Sequence, residues 1–114
     1  MCRKAHGAAF SSNAVVESRH FTLVSGAEVI SEYESSHGRL KCFCSNCGSQ
    51  LFIRRLNNPE HIVVTLGTLD SEPDAMPERH VFVASKASWY NINDGLPQYK
   101  IYPGFESGEG ELIR

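Results

Sequence analysis

The placement of its four cysteines constrains this 114-residue chain more than any other feature. Cys42, Cys44 and Cys47 lie together near the middle, whereas Cys2 stands alone at the start. Two basic side chains follow Cys2 with no apolar run behind them, so we expect no secretory signal peptide and a cytoplasmic location. In the cytoplasm, a cysteine cluster indicates metal binding or redox chemistry rather than structural disulfides.

The segment Phe43-Cys44-Ser45-Asn46-Cys47-Gly48 predicts a metal-binding knuckle. A tight turn with this spacing points two thiolates at one metal ion, and thiolate ligands without a redox requirement favour zinc. The alternatives are a redox dithiol and a pair of buried thiols. A redox motif of the thioredoxin type precedes a helix, but the residues after Gly48 have an extended pattern, which favours the metal.

A structural zinc ion needs four ligands, and the knuckle supplies only Cys44 and Cys47. Cys42 lies two residues before Cys44, so both side chains face the same side of a continuous strand. Cys42 is therefore either a third ligand or a small apolar residue of the strand. Cys2 is a candidate for the fourth position, although nothing in the spacing requires one site with four cysteines.

The composition predicts a mainly β fold, because β-branched and aromatic residues outnumber Leu, Ala and Met. One helix is plausible at residues 2–9. Turn signals separate the short extended segments, which are residues 10–16, 21–24, 29–33, 39–43, 51–55, 61–66 and 80–84. We therefore expect a small antiparallel-sheet domain that spans residues 1–114, with a loosely held tail from about residue 103.

The charge balance argues against two classes of partner. Eleven Lys and Arg against 13 Asp and Glu leave a net charge of −2, which gives little attraction for a nucleic acid backbone. No apolar stretch is long enough to span a membrane. We therefore expect neither nucleic acid nor membrane as a partner.

Several stretches together resemble one known family. The chain is similar to the glutathione-dependent formaldehyde-activating enzymes, a family that also includes centromere protein V. The order and the spacing of the matching stretches make the resemblance specific. They are Cys2 to Phe10, Phe43 to Phe52, Val63 to Asp70, Pro77 with His80 to Trp89, and Asp94 to Tyr99.

The resemblance implies a zinc-containing fold of antiparallel sheets called a β-tent. It implies a structural zinc ion held by two cysteine pairs, the second of which matches Cys44 and Cys47. It also implies a Cys-x-Cys-x-x-Cys active centre with a second zinc ion, whose last cysteine matches Cys2. The implied reaction is of the carbon–sulfur lyase type. It joins formaldehyde and the thiol of the co-substrate glutathione into S-hydroxymethylglutathione, or forms a related small-molecule thiol adduct.

The chain departs from the family pattern at its start. In the family, some tens of residues precede the position of Cys2 and carry the first zinc pair and the first two active-centre cysteines. A start inside a longer reading frame and a short member of the family both remain open. The second interpretation is a catalytically inactive zinc-binding structural or interaction module, so the sequence leaves enzymatic activity open. A second chain that completes a site would make a homodimer.

Four residues outside the cysteine cluster carry weaker expectations. His6 lies four residues after Cys2, so on a helix it shares that face, either as a ligand or as a surface residue. His80 opens a family-like segment and is the best further candidate among the histidines. Trp89 and Tyr90 are expected in the core, with the floor of a ligand cleft as the alternative.

Overall fold

The computed structural model describes residues 2–102 and 112–113, and the predicted loose tail from about residue 103 lies largely outside them. The regular elements are α1 (Cys2–His6), β1 (Asn13–Glu17), β2 (Ile30–Ser36), β3 (Arg39–Cys44), β4 (Gln50–Arg55), β5 (His61–Thr65), β6 (Gln98–Tyr99) and β7 (Leu112–Ile113). The described part of the chain is mainly β with one short helix, as the composition predicts. Among the described residues, no helix is long and apolar enough to cross a membrane.

The contacts divide the chain into two compact units. One is Ser12–Pro73, and the other combines the described residues before Ser12 with those from Asp74 onward. The prediction of a single domain over residues 1–114 stays a prediction.

The unit Ser12–Pro73 is an antiparallel five-stranded sheet in the order β1-β5-β4-β3-β2. Strands β2 to β5 follow one another as neighbours, and β1 pairs with β5 at the far edge. This order leaves β1 and β2 as the two edge strands.

The core of this unit lies on one face of the sheet. Alternation along the strands brings the side chains of Cys42, Phe52 and Ile62 to that face, where all three are buried. Val16, Phe21, Ile30, Leu51 and Val64 pack around them. The rings of Phe21 and Phe52 meet with their centroids 4.9 Å apart.

A β-bulge interrupts this sheet where β3 approaches the knuckle. Cys42 lies opposite Phe52, but the next residue, Phe43, lies opposite Gln50, so Leu51 is the extra residue on β4. The ladder between β3 and β4 therefore ends in an irregular pair directly before the cysteine turn.

Two predicted strands are wrong. Residues 21–24 do not pair with a neighbouring strand, and Phe21 instead packs against Phe52 on the face of the sheet. Residues 80–84 form only an isolated bridge, from His80 to Gln98, and then a 3₁₀ turn at Val83–Ser85. The extended chain ends at Phe82, whose φ of 56° lies in the left-handed region.

Irregular backbone hydrogen bonds and ring contacts connect the segments of the second unit. The backbone N–H of His80 donates to the carbonyl of Pro97 at 2.8 Å, and the N–H of Tyr99 donates back to the carbonyl of His80 at 2.8 Å. The rings of Phe10 and Tyr90 lie 5.3 Å apart. Trp89 is 69% exposed, so its predicted place in the core is wrong.

The helix is shorter than predicted. It ends at His6 instead of residue 9, and the N–H of Gly7 donates to the carbonyl of Arg3 at 2.7 Å to close its last turn.

Candidate metal centre

The segment from Cys44 to Ser49 forms a closed turn between β3 and β4. The N–H of Cys44 donates to the carbonyl of Ser49 at 2.9 Å, and the N–H of Gly48 donates to the carbonyl of Cys44 at 2.7 Å. Gly48 has φ of +80°, a conformation that costs a side-chain-bearing residue energy. The turn that the Cys-x-x-Cys-Gly spacing predicts is therefore present in the backbone.

A neighbouring loop fixes the position of this turn. The N–H and the hydroxyl of Ser45 both donate to the carbonyl of Val29, each at 2.7 Å. Val29 directly precedes β2, so these two bonds attach the turn to the start of β2. The cysteines consequently stand on a part of the chain that the sheet supports.

The sulfur of Cys47 lies in a polar environment at the surface. Its Sγ is 3.1 Å from the hydroxyl oxygen of Ser49. Hydrogen bonds from the hydroxyl and the backbone N–H of Ser49, and then one from the thiol of Cys44, lower the pKa of Cys47 below its ordinary value. The thiolate form, which is the form that binds metals, therefore forms more readily at Cys47 than at an ordinary cysteine.

These features test how well the residues fit a zinc ion. Two thiols on one hydrogen-bonded turn, with a hydroxyl 3.1 Å from the sulfur of Cys47, match the donor set and the outer shell of a thiolate zinc site. They supply two of the four ligands. Within the part of the chain that the structure describes, no three His, Cys, Asp or Glu side chains gather as a metal-binding group.

Cys42 lies in a different environment from the knuckle. Its side chain is 1% exposed within the core beside Phe52, and its thiol donates to Oε2 of Glu32 at 3.5 Å and to the carbonyl of Leu40 at 3.9 Å. Burial is the main cause that raises the pKa of this thiol, so it remains protonated. This environment matches the small apolar alternative, and the ligand alternative for Cys42 stays a prediction.

The predicted catalytic residue, Cys2, begins α1, but its side chain lies outside the described residues. His6 ends the same helix, and its Nδ1 accepts a hydrogen bond from the N–H of Ala8 at 3.3 Å. One ring nitrogen of His6 is thus engaged with the backbone. The roles predicted for Cys2 and His6 stay predictions.

The sequence gives no signal for an ion pair on the core face of the sheet. Nε and Nη2 of Arg54 both donate to Oε2 of Glu32, with the Nε bond at 3.0 Å. Glu32 and Arg54 lie 22 residues apart, and only the register through Cys42 and Phe52 brings them together. The bond from Arg54 is the main cause that lowers the pKa of Glu32.

A second pair lies in the other unit. Nε2 of His80 is 2.8 Å from Oδ2 of Asp94, and Oδ1 of Asp94 accepts the N–H of Leu96 at 3.1 Å. Both contacts, with the Leu96 bond first, lower the pKa of Asp94. His80 therefore attaches the segment 94–99 by its side chain and its backbone. The sequence pointed to His80 but missed Asp94, because the two residues are 14 positions apart.

An apolar groove lies beside the knuckle on the core face of the five-stranded sheet. Cys44 is part of its wall, and the other residues are mainly apolar. They include Phe21, Leu23, Val29, Ile30, Leu51, Phe52, Val64 and Leu69. Among the described residues of the lining, Asp70 alone is charged.

The comparison with protein families agrees with the residues described above. The profile of the family described as glutathione-dependent formaldehyde-activating enzyme matches residues 1–85, a stretch that includes Cys2, Cys44 and Cys47. Among curated proteins, none matches the chain closely enough to count as a relative. Because the match covers well over half of its length, the chain belongs to the glutathione-dependent formaldehyde-activating enzyme family.

Proposed function

We propose that the chain is a zinc protein of the carbon–sulfur lyase type. Its reaction joins formaldehyde and glutathione into S-hydroxymethylglutathione, or forms a related thiol adduct. The observation that carries this proposal is the family match over residues 1–85, which includes the cysteine in the active-centre position and the knuckle pair. We place this activity in the cytoplasm, with a small-molecule thiol adduct as partner and without nucleic acid or membrane, in keeping with the net charge of −2.

The chemistry needs a thiolate beside a small electrophile. The sulfur of glutathione forms a bond to the carbon of formaldehyde, and the proton lost by the thiol ends on the former carbonyl oxygen. A cysteine-bound zinc ion supplies Lewis acidity that lowers the pKa of a bound thiol. In this proposal Cys2 is a ligand of that ion, whereas Cys44 and Cys47 belong to a structural site.

Two basic residues beside Cys2 are available to orient the co-substrate. Arg3 and Lys4 lie on α1 directly after Cys2, and both are exposed. Glutathione carries carboxylates, so positive charge at this position favours its approach with the thiol toward Cys2. Orientation of the two reactants lowers the entropic part of the barrier.

The test measures the rate at which the formaldehyde carbon exchanges between its free and thiol-bound forms. A rate is needed because formaldehyde and thiols also react without a catalyst and reach the same equilibrium. The zinc-loaded chain is mixed with glutathione and ¹³C-formaldehyde, and exchange NMR follows the carbon between the hydrated and the S-hydroxymethyl forms. We expect the chain to raise the exchange rate and Cys2→Ser to remove the increase. Ser71→Ala, at an exposed loop position, is the control and should keep it. An exchange rate unchanged by the zinc-loaded chain would refute the proposed reaction.

One observation favours a second candidate, a zinc-binding structural or interaction module without turnover. The best-formed site in the described residues is the knuckle, whose thiol at Cys47 lies at the surface beside an apolar groove. A surface zinc knuckle stabilises a fold or a contact and leaves no position for a substrate when four thiolates fill it. Zinc binding that depends on Cys44 and Cys47, combined with an unchanged exchange rate, would support this candidate.

A further inference from the structure

We propose that Arg39, Lys41 and Arg55 form a binding site for a small dianion of the phosphate type. The juxtaposition behind this inference is a group of three cations without carboxylate partners, on the face of the five-stranded sheet opposite the core face. The site uses no cysteine and lies within the unit Ser12–Pro73. The inference therefore goes beyond the proposed function and does not depend on it.

The first step concerns the register that gathers the three side chains. Arg39 on β3 lies directly opposite Arg55 on β4, and Lys41 lies opposite Ile53. Because side chains alternate along a strand, all four project from the face that is opposite to the one of the buried Cys42. Directly opposite Cβ atoms are about 5 Å apart, and diagonal neighbours such as Lys41 and Arg55 are within reach of long side chains.

The second step concerns the carboxylates that could neutralise these cations. Within the described part of the chain, none of the three side chains takes part in a hydrogen bond or an ion pair. Glu32 and Glu34 of the neighbouring strand β2 are paired with even-numbered residues of β3, so they project from the core face. Glu17 lies on the same face as the cations, but its Oε2 accepts from Nε of Arg19 at 2.8 Å.

The third step concerns burial, which raises the cost of leaving these charges unpaired. Lys41 is only 8% exposed, and Nε of Arg55 is enclosed without a hydrogen-bond partner. Unpaired charges and donors that are removed from water cost free energy, and a bound anion offsets that cost. Like charges directly opposite each other also destabilise a sheet, as at Arg39 and Arg55. Both arginines are partly exposed, so an ion can reach them from the solvent.

The fourth step concerns the kind of anion. A guanidinium group offers a planar fork of N–H donors that matches the oxygens of a carboxylate or a phosphate, and an ammonium group adds a compact positive charge. Three positive charges attract a dianion more strongly than a single carboxylate. A phosphate group carries a charge of about −1.5 to −2 at neutral pH and has three acceptor oxygens, one for each cation. Inorganic phosphate and phosphate monoesters share this chemistry.

The experiment titrates the reduced full chain with potassium phosphate in a zwitterionic buffer at neutral pH. Potassium chloride at matched ionic strength is the reference, because any salt screens the repulsion between the cations. We expect saturable shifts of the Nε–H signals of Arg39 and Arg55 in ¹H–¹⁵N NMR spectra with phosphate and none with chloride. Acetate should bind about tenfold more weakly or worse. Phenyl phosphate that binds more tightly than inorganic phosphate would identify a monoester as the ligand, and the reverse order would identify the free ion.

Two variants and one matched control locate the site. Arg55→Gln and Lys41→Met each remove one charge, and each should weaken phosphate binding by about tenfold or more. Arg54→Gln removes the same charge from the adjacent position, but Arg54 lies on the core face with Glu32, so this variant should bind phosphate like the wild type. In chloride alone, Arg55→Gln should be at least as stable as the wild type, because it relieves the repulsion from Arg39. Circular dichroism checks that each variant is folded.

Three outcomes would overturn the inference. Shifts in phosphate no larger than those in chloride would show that salt only screens the cations. Phosphate binding that persists in Lys41→Met or in Arg55→Gln, or that is lost equally in Arg54→Gln, would remove the site from this face. Each variant is informative by itself, so one that does not fold leaves the other to decide. Glutathione that displaces phosphate at equal concentration would overturn the assignment to a phosphate-type ion.

Discussion

Replacing Gly48 by alanine tests whether the cysteine turn has the backbone conformation that the structure shows. The φ of Gly48 is +80°, and a Cβ at this position would meet nothing within 4 Å. The substitution therefore adds conformational strain without a steric clash. For a residue with a Cβ, the left-handed conformation costs about 1–2 kcal/mol.

Gly67→Ala is the matched control for this substitution. Gly67 also has open space around its Cβ position, but its φ lies outside the positive range. Both substitutions remove the same freedom from the unfolded chain, an effect that by itself stabilises by about 0.4–1 kcal/mol. When the free energies of unfolding of the two variants are subtracted, this contribution cancels. The remaining difference is the conformational strain at position 48, which is about 1–2 kcal/mol.

The assay is urea unfolding of the wild type and both variants in the presence of a reductant and a chelator, so that metal binding does not contribute. We expect Gly67→Ala to be at least as stable as the wild type and Gly48→Ala to be less stable than Gly67→Ala by about 1–2 kcal/mol. A thermal melt should show a shift of about 4 °C for each kcal/mol in a domain of this size. Equal stabilities of the two variants would refute the left-handed conformation at Gly48 and with it the turn geometry.

Three further predictions concern the core face and the metal. Cys42→Ala should lower the free energy of unfolding by about 1 kcal/mol, measured in urea, because it removes one buried heavy atom, and an unchanged value would contradict its place in the core. Glu32→Gln should lower the free energy of unfolding by no more than about 1 kcal/mol at neutral pH. The side chains of Glu32 and Arg54 are 41% and 43% exposed, and solvent weakens an ion pair that is exposed to this extent. Since the pKa of Glu32 is lowered in the folded state, that contribution is complete above the ordinary glutamate pKa and is lost as the pH falls through the lowered value. The difference from wild type should therefore shrink in acid, whereas Glu72→Gln, an exposed control, should show no such pattern. Zinc at about 100 times its dissociation constant should stabilise the wild type by about 2.7 kcal/mol in calorimetric melts, and the same zinc concentration should give Cys47→Ser little or no stabilisation.

The parts of this protein that follow from its sequence are those set by residues close together in the chain. The turn from Cys44 to Ser49 is closed by hydrogen bonds within those six residues, so the local spacing predicts its shape. Strands β3 and β4 lie directly before and after that turn, and each carries apolar residues next to it. The bounds of both strands therefore follow from the sequence to within one residue.

The parts that the sequence did not predict depend on contacts between distant residues. Residues 21–24 have the composition of a strand, but they pair with no strand, and the ring of Phe21 packs against Phe52 on the face of the sheet. The pair of Glu32 and Arg54 needs the register of three strands before the two residues can meet. The β-bulge before the knuckle helps to set the register between β3 and β4. A local sequence pattern does not predict that register.

The position of the knuckle couples metal binding to the stability of the sheet. Cys44 is the last residue of β3, and Cys42, two residues earlier, is already part of the buried core opposite Phe52. A metal ion held by Cys44 and Cys47 would close the same turn that the bonds from Cys44 to Ser49 and from Gly48 to Cys44 close. Folding of the hairpin therefore brings the two thiols together in advance, which reduces the entropy lost on metal binding. By the same linkage, any metal bound there stabilises the β3–β4 pair and the core face built upon it.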